Sequence, residues 1–222
     1  MPSTYKINYE LDETPLISIL IPNKDHIDDL KRCMESIEQK STYKNYEYII
    51  VENNSTDSAT FEYYKKLEAE NPKVRMVYWD GVFNYSAINN YGASFAKGEY
   101  LLLLNNDTEI INPDCLEELL GYCMRKDVGA VGARLYYEDD TIQHAGVLMG
   151  INGSAGHSHD QLRGGQARPG SALGASLDRT PARRRLPRGA RGVEFEIRAQ
   201  EPRSGCGRRG GRGIRGRGSQ RP

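Results

Sequence analysis

Tyr100-Leu-Leu-Leu-Leu-Asn-Asn-Asp-Thr108 is a short apolar run that turns abruptly polar. From Tyr100 to Leu104 there is no charge and no polar alternation. Both faces of this segment must therefore be covered, which makes it an inner strand of a mostly parallel sheet. In an open sheet of that kind, ligands settle beyond the carboxyl ends of the strands, so Asn105, Asn106 and Asp107 fall where binding chemistry is expected. A carboxylate at that edge can meet a divalent cation and a diphosphate. The competing role is a turn or helix cap, although Asn112-Pro113 already offers the next helix its start.

The flanking sequence alternates in the same sense. Leu16 to Ile21 is an apolar run closed by Pro22, and Ile27, Leu30, Met34 and Ile37 recur at helical spacing through Gln39. Tyr46 to Val51 is a second strand, Asp57 to Glu70 a charged helix, and Val74 to Trp79 a third strand after the breaker Asn71-Pro72. Ser86 to Lys97 reads as a helix stopped by Gly98 in a left-handed conformation. Beyond the central strand, a helix from Asn112-Pro113 to about Arg125 precedes a strand-like stretch from Val128 to Leu135. Six or so alternating elements predict an α/β sandwich around a mostly parallel sheet.

The formal net charge of zero hides two opposite halves. Residues 1–160 hold 14 Lys and Arg against 26 Asp and Glu, whereas residues 161–222 hold 16 against 4. All ten Lys and all fourteen Tyr precede residue 161, and 13 of the 23 Gly follow it. The expected organisation is a lead-in over 1–15, one domain over 16–160, and an Arg/Gly-rich tail over 161–222. With so little apolar surface to offset chain entropy, the tail is expected to be disordered. Arg, Gly, Ala and Pro are all encoded by GC-rich codons, so the tail's composition suits translation of GC-rich DNA in a shifted frame or a chimeric join, leaving the domain truncated and its turnover weak or absent. The competing reading is an RGG-like arm binding nucleic acid through charge contacts. A single aromatic, Phe195, argues against base stacking there.

Cys33, Cys115, Cys123 and Cys206 show neither CxxC spacing nor a disulfide framework and read as reduced structural thiols. The first thirteen residues lack a signal-peptide core, and no run approaches the ~18 apolar residues of a spanning helix. A cytoplasmic protein is expected, one able to work at the inner membrane face.

The lack of glycine after the first strand tells against three function classes. Pro22-Asn23-Lys24-Asp25 has no GxGxxG turn for a dinucleotide, no Gly-Lys-Ser/Thr occurs for a P-loop, and a nucleotidyltransferase would need a glycine-rich basic loop there. The second strand ends in Glu52-Asn53-Asn54-Ser55-Thr56-Asp57, an acid and two amides able to donate to and accept from a pyrimidine or ribose edge. The competing role is that Ser55 or Asp57 caps the next helix, and Asp57 is equally a natural cap.

Ile17-Ser-Ile-Leu-Ile-Pro22, Glu52-Asn-Asn-Ser-Thr-Asp57, Asn90-Tyr-Gly92, Ala96-Lys-Gly-Glu-Tyr100 and Leu104-Asn-Asn-Asp-Thr108, followed by Gln143-His-Ala-Gly146 and Gly156-His-Ser-His159, stand in the order seen in family 2 glycosyltransferases. The segment from Leu16 to His159 thus resembles the donor-binding half of such an enzyme, of the bacterial rhamnosyltransferase-like kind. The resemblance implies a GT-A type nucleotide-diphospho-sugar transferase fold. It also implies inverting, metal-assisted transfer from a UDP- or dTDP-linked sugar to a saccharide or lipid-linked saccharide acceptor. Pro22, Glu52, Asn53 and Asn54 would line the base and ribose pocket, with Asn90 supporting the adjoining loop and Asn106 beside the donor. Asp107 would hold Mg²⁺ or Mn²⁺ against the diphosphate. Many relatives carry Asp at the Glu52 position and a paired acidic motif where this chain has Asn105-Asn106-Asp107, which implies weaker metal affinity. His157 and His159, alternating on an extended segment, read either as a further metal ligand or as exposed loop residues. No catalytic base is assigned.

Overall fold

The computed structural model describes residues 9–139, 141–149, 155–157 and 196–199, with residues 147–149 and the last two segments described through their backbone alone. Four parallel strands carry the molecule: β1 (Ile17–Asn23), β2 (Tyr46–Glu52), β3 (Val74–Tyr78) and β4 (Tyr100–Leu103). They are joined by helices α1 (Ile27–Lys40), α2 (Ser58–Glu70) and α3 (Tyr85–Ala93); α4 (Cys115–Cys123) follows β4 and leads to β5 (Ala130–Gly132). Short antiparallel ribbons pair β6 (Leu135–Tyr136) with β7 (Ile142–His144), and β8 (Val147–Met149) with β9 (Ala155–His157). Among the described residues no helix is long and apolar enough to cross a membrane.

The main sheet runs β3-β2-β1-β4 and then β10 (Glu196–Ala199) and β5, with β10 antiparallel to both of its neighbours. β4 lies inside the sheet, between β1 and β10, as expected of its unbroken apolar run, and β1 beside it is covered on both faces. Ile17, Ile19 and Ile21 join Leu30, Met34 and Ile37 of α1, Tyr64 of α2, and Leu116 and Leu120 of α4 in one cluster. Leu20, between them, packs with Ile49, Val51, Val77 and Ile88 of α3 in the other. Strand alternation thus assigns α1, α2 and α4 to one side of the sheet and α3 to the opposite side.

Cys33, Cys115 and Cys123 are free thiols. Burial pushes the Cys33 and Cys115 thiols up to about 12, which fits the structural role read for them.

Several boundaries differ from the sequence expectations. β1 does not stop before Pro22 but continues to Asn23, with Pro22 opposite Val51. Alternate residues of β1 bond alternate neighbours: Asn53 N donates to Asn23 O on the β2 side, and Leu104 N donates to Leu20 O on the β4 side. Pro22 has the same orientation as Leu20, and β1–β4 pairing ends at Leu20, so the missing N–H costs no ladder bond.

α3 ends at Ala93 rather than Lys97. The Ser94 hydroxyl donates to Tyr91 O (2.7 Å), and tighter bonds from Phe95 N to Gly92 O and from Ala96 N to Ala93 O unwind the last turn. Gly98 is neither the stop nor left-handed, since Gly146 is the only described glycine with positive φ. It is required by close approach: a Cβ there would lie 2.5 Å from Leu16 O and 2.8 Å from Ser18 N, both backbone atoms of β1's amino end.

Asn112 does not cap α4. Helical bonding begins at Cys115, with Asp114 at the cap position and no side-chain capping bond. The Pro113 carbonyl is instead taken by Thr42 N and Thr42 Oγ1, both at 2.9 Å, which ties this loop to the α1–β2 connection.

Within the segment read as disordered, Glu196–Ala199 is a strand. Val193-Glu-Phe-Glu-Ile-Arg-Ala199 alternates apolar and charged residues with period two, the local signal for a strand that the bulk composition of the tail obscures. The rest of the tail lies outside the described residues.

Candidate functional site

The carboxyl ends of β1, β2 and β4 bring three loops to one edge of the sheet. The first loop turns at Asp25 and the second at Asn54, the two described non-glycine residues with positive φ, 58° and 55°. Asp and Asn tolerate this conformation because their short polar side chains bond locally.

The two loops are locked to each other. Asp25 accepts from Thr56 N (2.8 Å), Asp57 N (3.0 Å) and Thr56 Oγ1 (3.2 Å), while Asp25 N donates to Ser55 Oγ (2.9 Å). The amides of Asp57 and Thr56 hold the Asp25 carboxyl below its ordinary value of 3.8. Asp57 takes up its capping role, its carboxylate accepting from Ala59 N at 3.0 Å to open α2.

Glu52 is 3% exposed and its carboxylate organises this turn. Oε1 accepts from Ser55 N; Oε2 accepts from Ser55 Oγ (2.6 Å) and from the Tyr64 hydroxyl (2.8 Å). Asn53 is 4% exposed, and its side-chain amide Nδ2 has no hydrogen-bond partner among the described residues. A buried amide donor in that state is costly unless a ligand or water completes it. Asn54 is exposed and donates from Nδ2 to Gly81 O (2.9 Å), tying the turn to the loop after β3.

The third loop follows β4. Asn106 donates from Nδ2 to Asn23 Oδ1 (2.6 Å), and Asp107 beside it is partly exposed. α1 grips the loop from beneath. Ser36 Oγ accepts from Ile110 N (3.1 Å) while donating to Cys33 O (2.7 Å), Lys40 donates to Ile110 O (3.0 Å), and Arg32 and Lys40 both lie 3.7 Å from the Glu109 carboxylate. Those two ion pairs are half exposed, so each contributes at most about 1 kcal/mol. The buried Ser36 bond is the stronger restraint.

Of the residues singled out in the sequence, Pro22 and Glu52 therefore lie at the carboxyl ends of β1 and β2, and Asn53, Asn54, Asn106 and Asp107 on the loops of this edge. Asn90 is on the exposed face of α3, and it is Asn89 that is buried, donating to Tyr85 O at 2.9 Å. His159 and the side chain of His157 lie outside the described residues. Sequence reading missed Asn23, Asp25, Ser55 and Tyr64. The first three sit in quoted motifs but were weighed only for what they lacked or capped, and Tyr64 reads as one more apolar-face aromatic of a helix.

The donor set decides what cation fits. Among the described residues no group of three or more His, Cys, Asp or Glu side chains gathers in metal-binding geometry. Asp107 alone does not make an all-protein cage. It fits Mg²⁺ or Mn²⁺ that takes its remaining ligands from water and from a diphosphate, the usual habit of small hard cations.

The chain was compared with known proteins. A family model described as glycosyl transferase family 2 matches residues 18–174. The protein y4gI of Sinorhizobium fredii is 42% identical over 159 residues, covering 72% of this chain and 18% of that protein. The O-antigen biosynthesis protein RfbC of Myxococcus xanthus is 42% identical over 156 residues, covering 70% and 12% respectively. The chain therefore spans less than a fifth of the length of either relative. Among solved structures, a mannosyltransferase of Pyrobaculum calidifontis in complex with GDP-Man and Mn²⁺ superposes with a TM-score of 0.53 at 17% identity, covering 63% of this chain and 41% of that one. That is a likeness of fold.

Proposed function

Because the chain belongs to glycosyl transferase family 2 and has the GT-A type fold, we propose that it binds a nucleoside-diphosphate sugar across the carboxyl edge of its sheet and transfers the sugar, with inversion, to a saccharide acceptor. The observation that carries this reading is the meeting of the Glu52-Asn53-Asn54 turn with the Asn106-Asp107 loop at that edge, linked through Asn23.

The turn supplies the nucleoside end. Asn53 Nδ2 is a buried donor with capacity to spare, and Glu52 Oε1, engaged among the described residues by Ser55 N, can take one further donor such as a pyrimidine N–H or ribose hydroxyl. These groups suit a UDP- or dTDP-linked donor. Asp107 supplies the diphosphate end, where it would hold Mg²⁺ or Mn²⁺. The cation, when bound, offsets charge on the departing diphosphate. Asn106, fixed by Asn23, keeps Asp107's loop in place before the ligand arrives, so little ordering cost falls on binding. No described carboxylate is assigned as the base that takes the acceptor hydroxyl's proton. A relative named for O-antigen biosynthesis supports a polysaccharide acceptor.

Calorimetry with UDP and with dTDP, each with Mn²⁺, tests the reading in wild type and Asp107→Ala. We expect binding heats in the wild type that fall at least about tenfold in affinity in the variant, the scale of one lost charged contact. Equal affinities would overturn the metal role of Asp107, and no heat with either nucleotide would overturn the donor class.

A further inference from the structure

One chain of hydrogen bonds at this edge runs between the two ends of the ligand site. Glu52, as a carboxylate, only accepts, so the Tyr64 hydroxyl must donate to it (2.8 Å). The Tyr64 oxygen is then an acceptor for Asn23 Nδ2 (2.7 Å), and Asn23 Oδ1 for Asn106 Nδ2 (2.6 Å). Every link is therefore oriented the same way, from the Asn106-Asp107 loop toward the Glu52 turn. The two middle members are inaccessible: Tyr64 is 0% and Asn23 3% exposed. Burial, foremost, raises the Tyr64 phenol above its ordinary value, which keeps it a donor.

We propose that Tyr64, acting through Asn23, is a positioning residue that couples occupation of the nucleoside end to the placement of the Asp107 loop. Neither residue touches the ligand. A donor placed on Glu52 Oε1 by a bound nucleoside draws charge from the carboxylate whose Oε2 takes the Tyr64 hydroxyl, and the weakening of the Tyr64 bond passes to Asn23 and Asn106. Bonds in such a chain polarise one another, and a dry interior preserves the effect. The path runs through buried groups, and its last bond, to Glu52, hangs on the Tyr64 hydroxyl, which makes it testable by a single oxygen atom. The inference rests on the nucleoside assignment made above.

The experiment uses uridine, which has no phosphate to bridge a cation to Asp107, and reads amide NMR shifts in the full chain. In the wild type, uridine should shift the Asn53 and Asn54 signals and, with them, the Asn106 side-chain amide and the Asp107 backbone amide. In Tyr64→Phe, which keeps the ring and its packing, the first pair should still shift and the second should not. If Asn106 and Asp107 respond as strongly in the variant, or fail to respond in the wild type while Asn53 and Asn54 do, the coupling is overturned and the nucleoside assignment stands. If no wild-type signal at Asn53 or Asn54 moves, the nucleoside assignment fails and the coupling with it. Asn106→Ala, changed at the partly exposed end of the chain, serves should Tyr64→Phe not fold. There too Asp107 should cease to answer uridine, and a retained response would overturn the proposal.

Discussion

Adding one methyl group at Gly98 should destabilise the protein severely, although Gly98 is far from any ligand group. A Cβ at Gly98 would sit 2.5 Å from Leu16 O and 2.8 Å from both Ser18 N and Ser18 Oγ. That is about 1 Å inside the ~3.5 Å at which non-bonded heavy atoms are comfortable. The obstructing atoms are mostly backbone, so no side chain can turn aside. Relief requires the start of β4 to move away from the start of β1, at the expense of the bonds from Gly98 N to Ser18 Oγ (2.9 Å) and from Tyr100 N to Leu16 O (3.4 Å). Overpacking costs about 1–3 kcal/mol and the weakened bonds about 1 kcal/mol each. Against this, the alanine restricts the unfolded chain and returns about 0.4–1 kcal/mol. The net loss for Gly98→Ala is therefore about 3 kcal/mol, a fall in Tm of roughly 6–12 °C for a domain of this size. Urea unfolding followed by circular dichroism measures it. The control is Gly129→Ala, where a Cβ meets nothing within 4 Å and the change should stay within about 0.5 kcal/mol. If Gly98→Ala unfolds at the same urea concentration as Gly129→Ala, the close-approach reasoning is wrong.

Two further outcomes follow from the loops. The Asp25 carboxyl lies below 3.8 in the folded protein, so its stabilisation is present above about pH 4 and is lost as pH falls through the depressed value. The stability gap between wild type and Asp25→Asn should thus be widest near neutrality and close on acidification below about pH 4, and a gap constant down to pH 3 would contradict this. Ser36→Ala strands the buried Ile110 N–H beneath the Asp107 loop, which should cost about 1–3 kcal/mol in urea melts. It should also weaken Mn²⁺-dependent UDP binding far more than uridine binding; unchanged Mn²⁺ dependence would separate Ser36 from the site.

Strands and helices were legible because burial leaves a periodic trace. Ile17, Ile19 and Ile21 face one cluster and Leu20 the other, and a run with no polar face announces an inner strand. The ends of elements were less legible because tertiary contacts decide them. Pro22 is admitted into β1 only because β4 pairs no further, and α3 stops where Ser94 bonds back to Tyr91. Gly98 was noticed for the wrong reason, since sequence reports that a glycine is needed but not whether dihedral freedom or missing bulk is what is used. At the site, residues with an evident polar role after a strand were found. Tyr64 was not, because its hydroxyl acts at the inner end of a side chain whose ring belongs to the core, and periodicity registers only the ring.

The three described thiols all belong to the side of the sheet covered by α1 and α4, and none packs with the cluster around Leu20 and α3. Cys33 is 1% exposed and its thiol is held near 12, so almost no thiolate exists at neutral pH and an alkylating reagent must wait for that side to open. The rate at which Cys33 is labelled is thus a clock for the parting of α1 from the sheet, silent toward motion of α3 on the other face. The fold carries a one-sided reporter of its own breathing, needing no engineered label on that face.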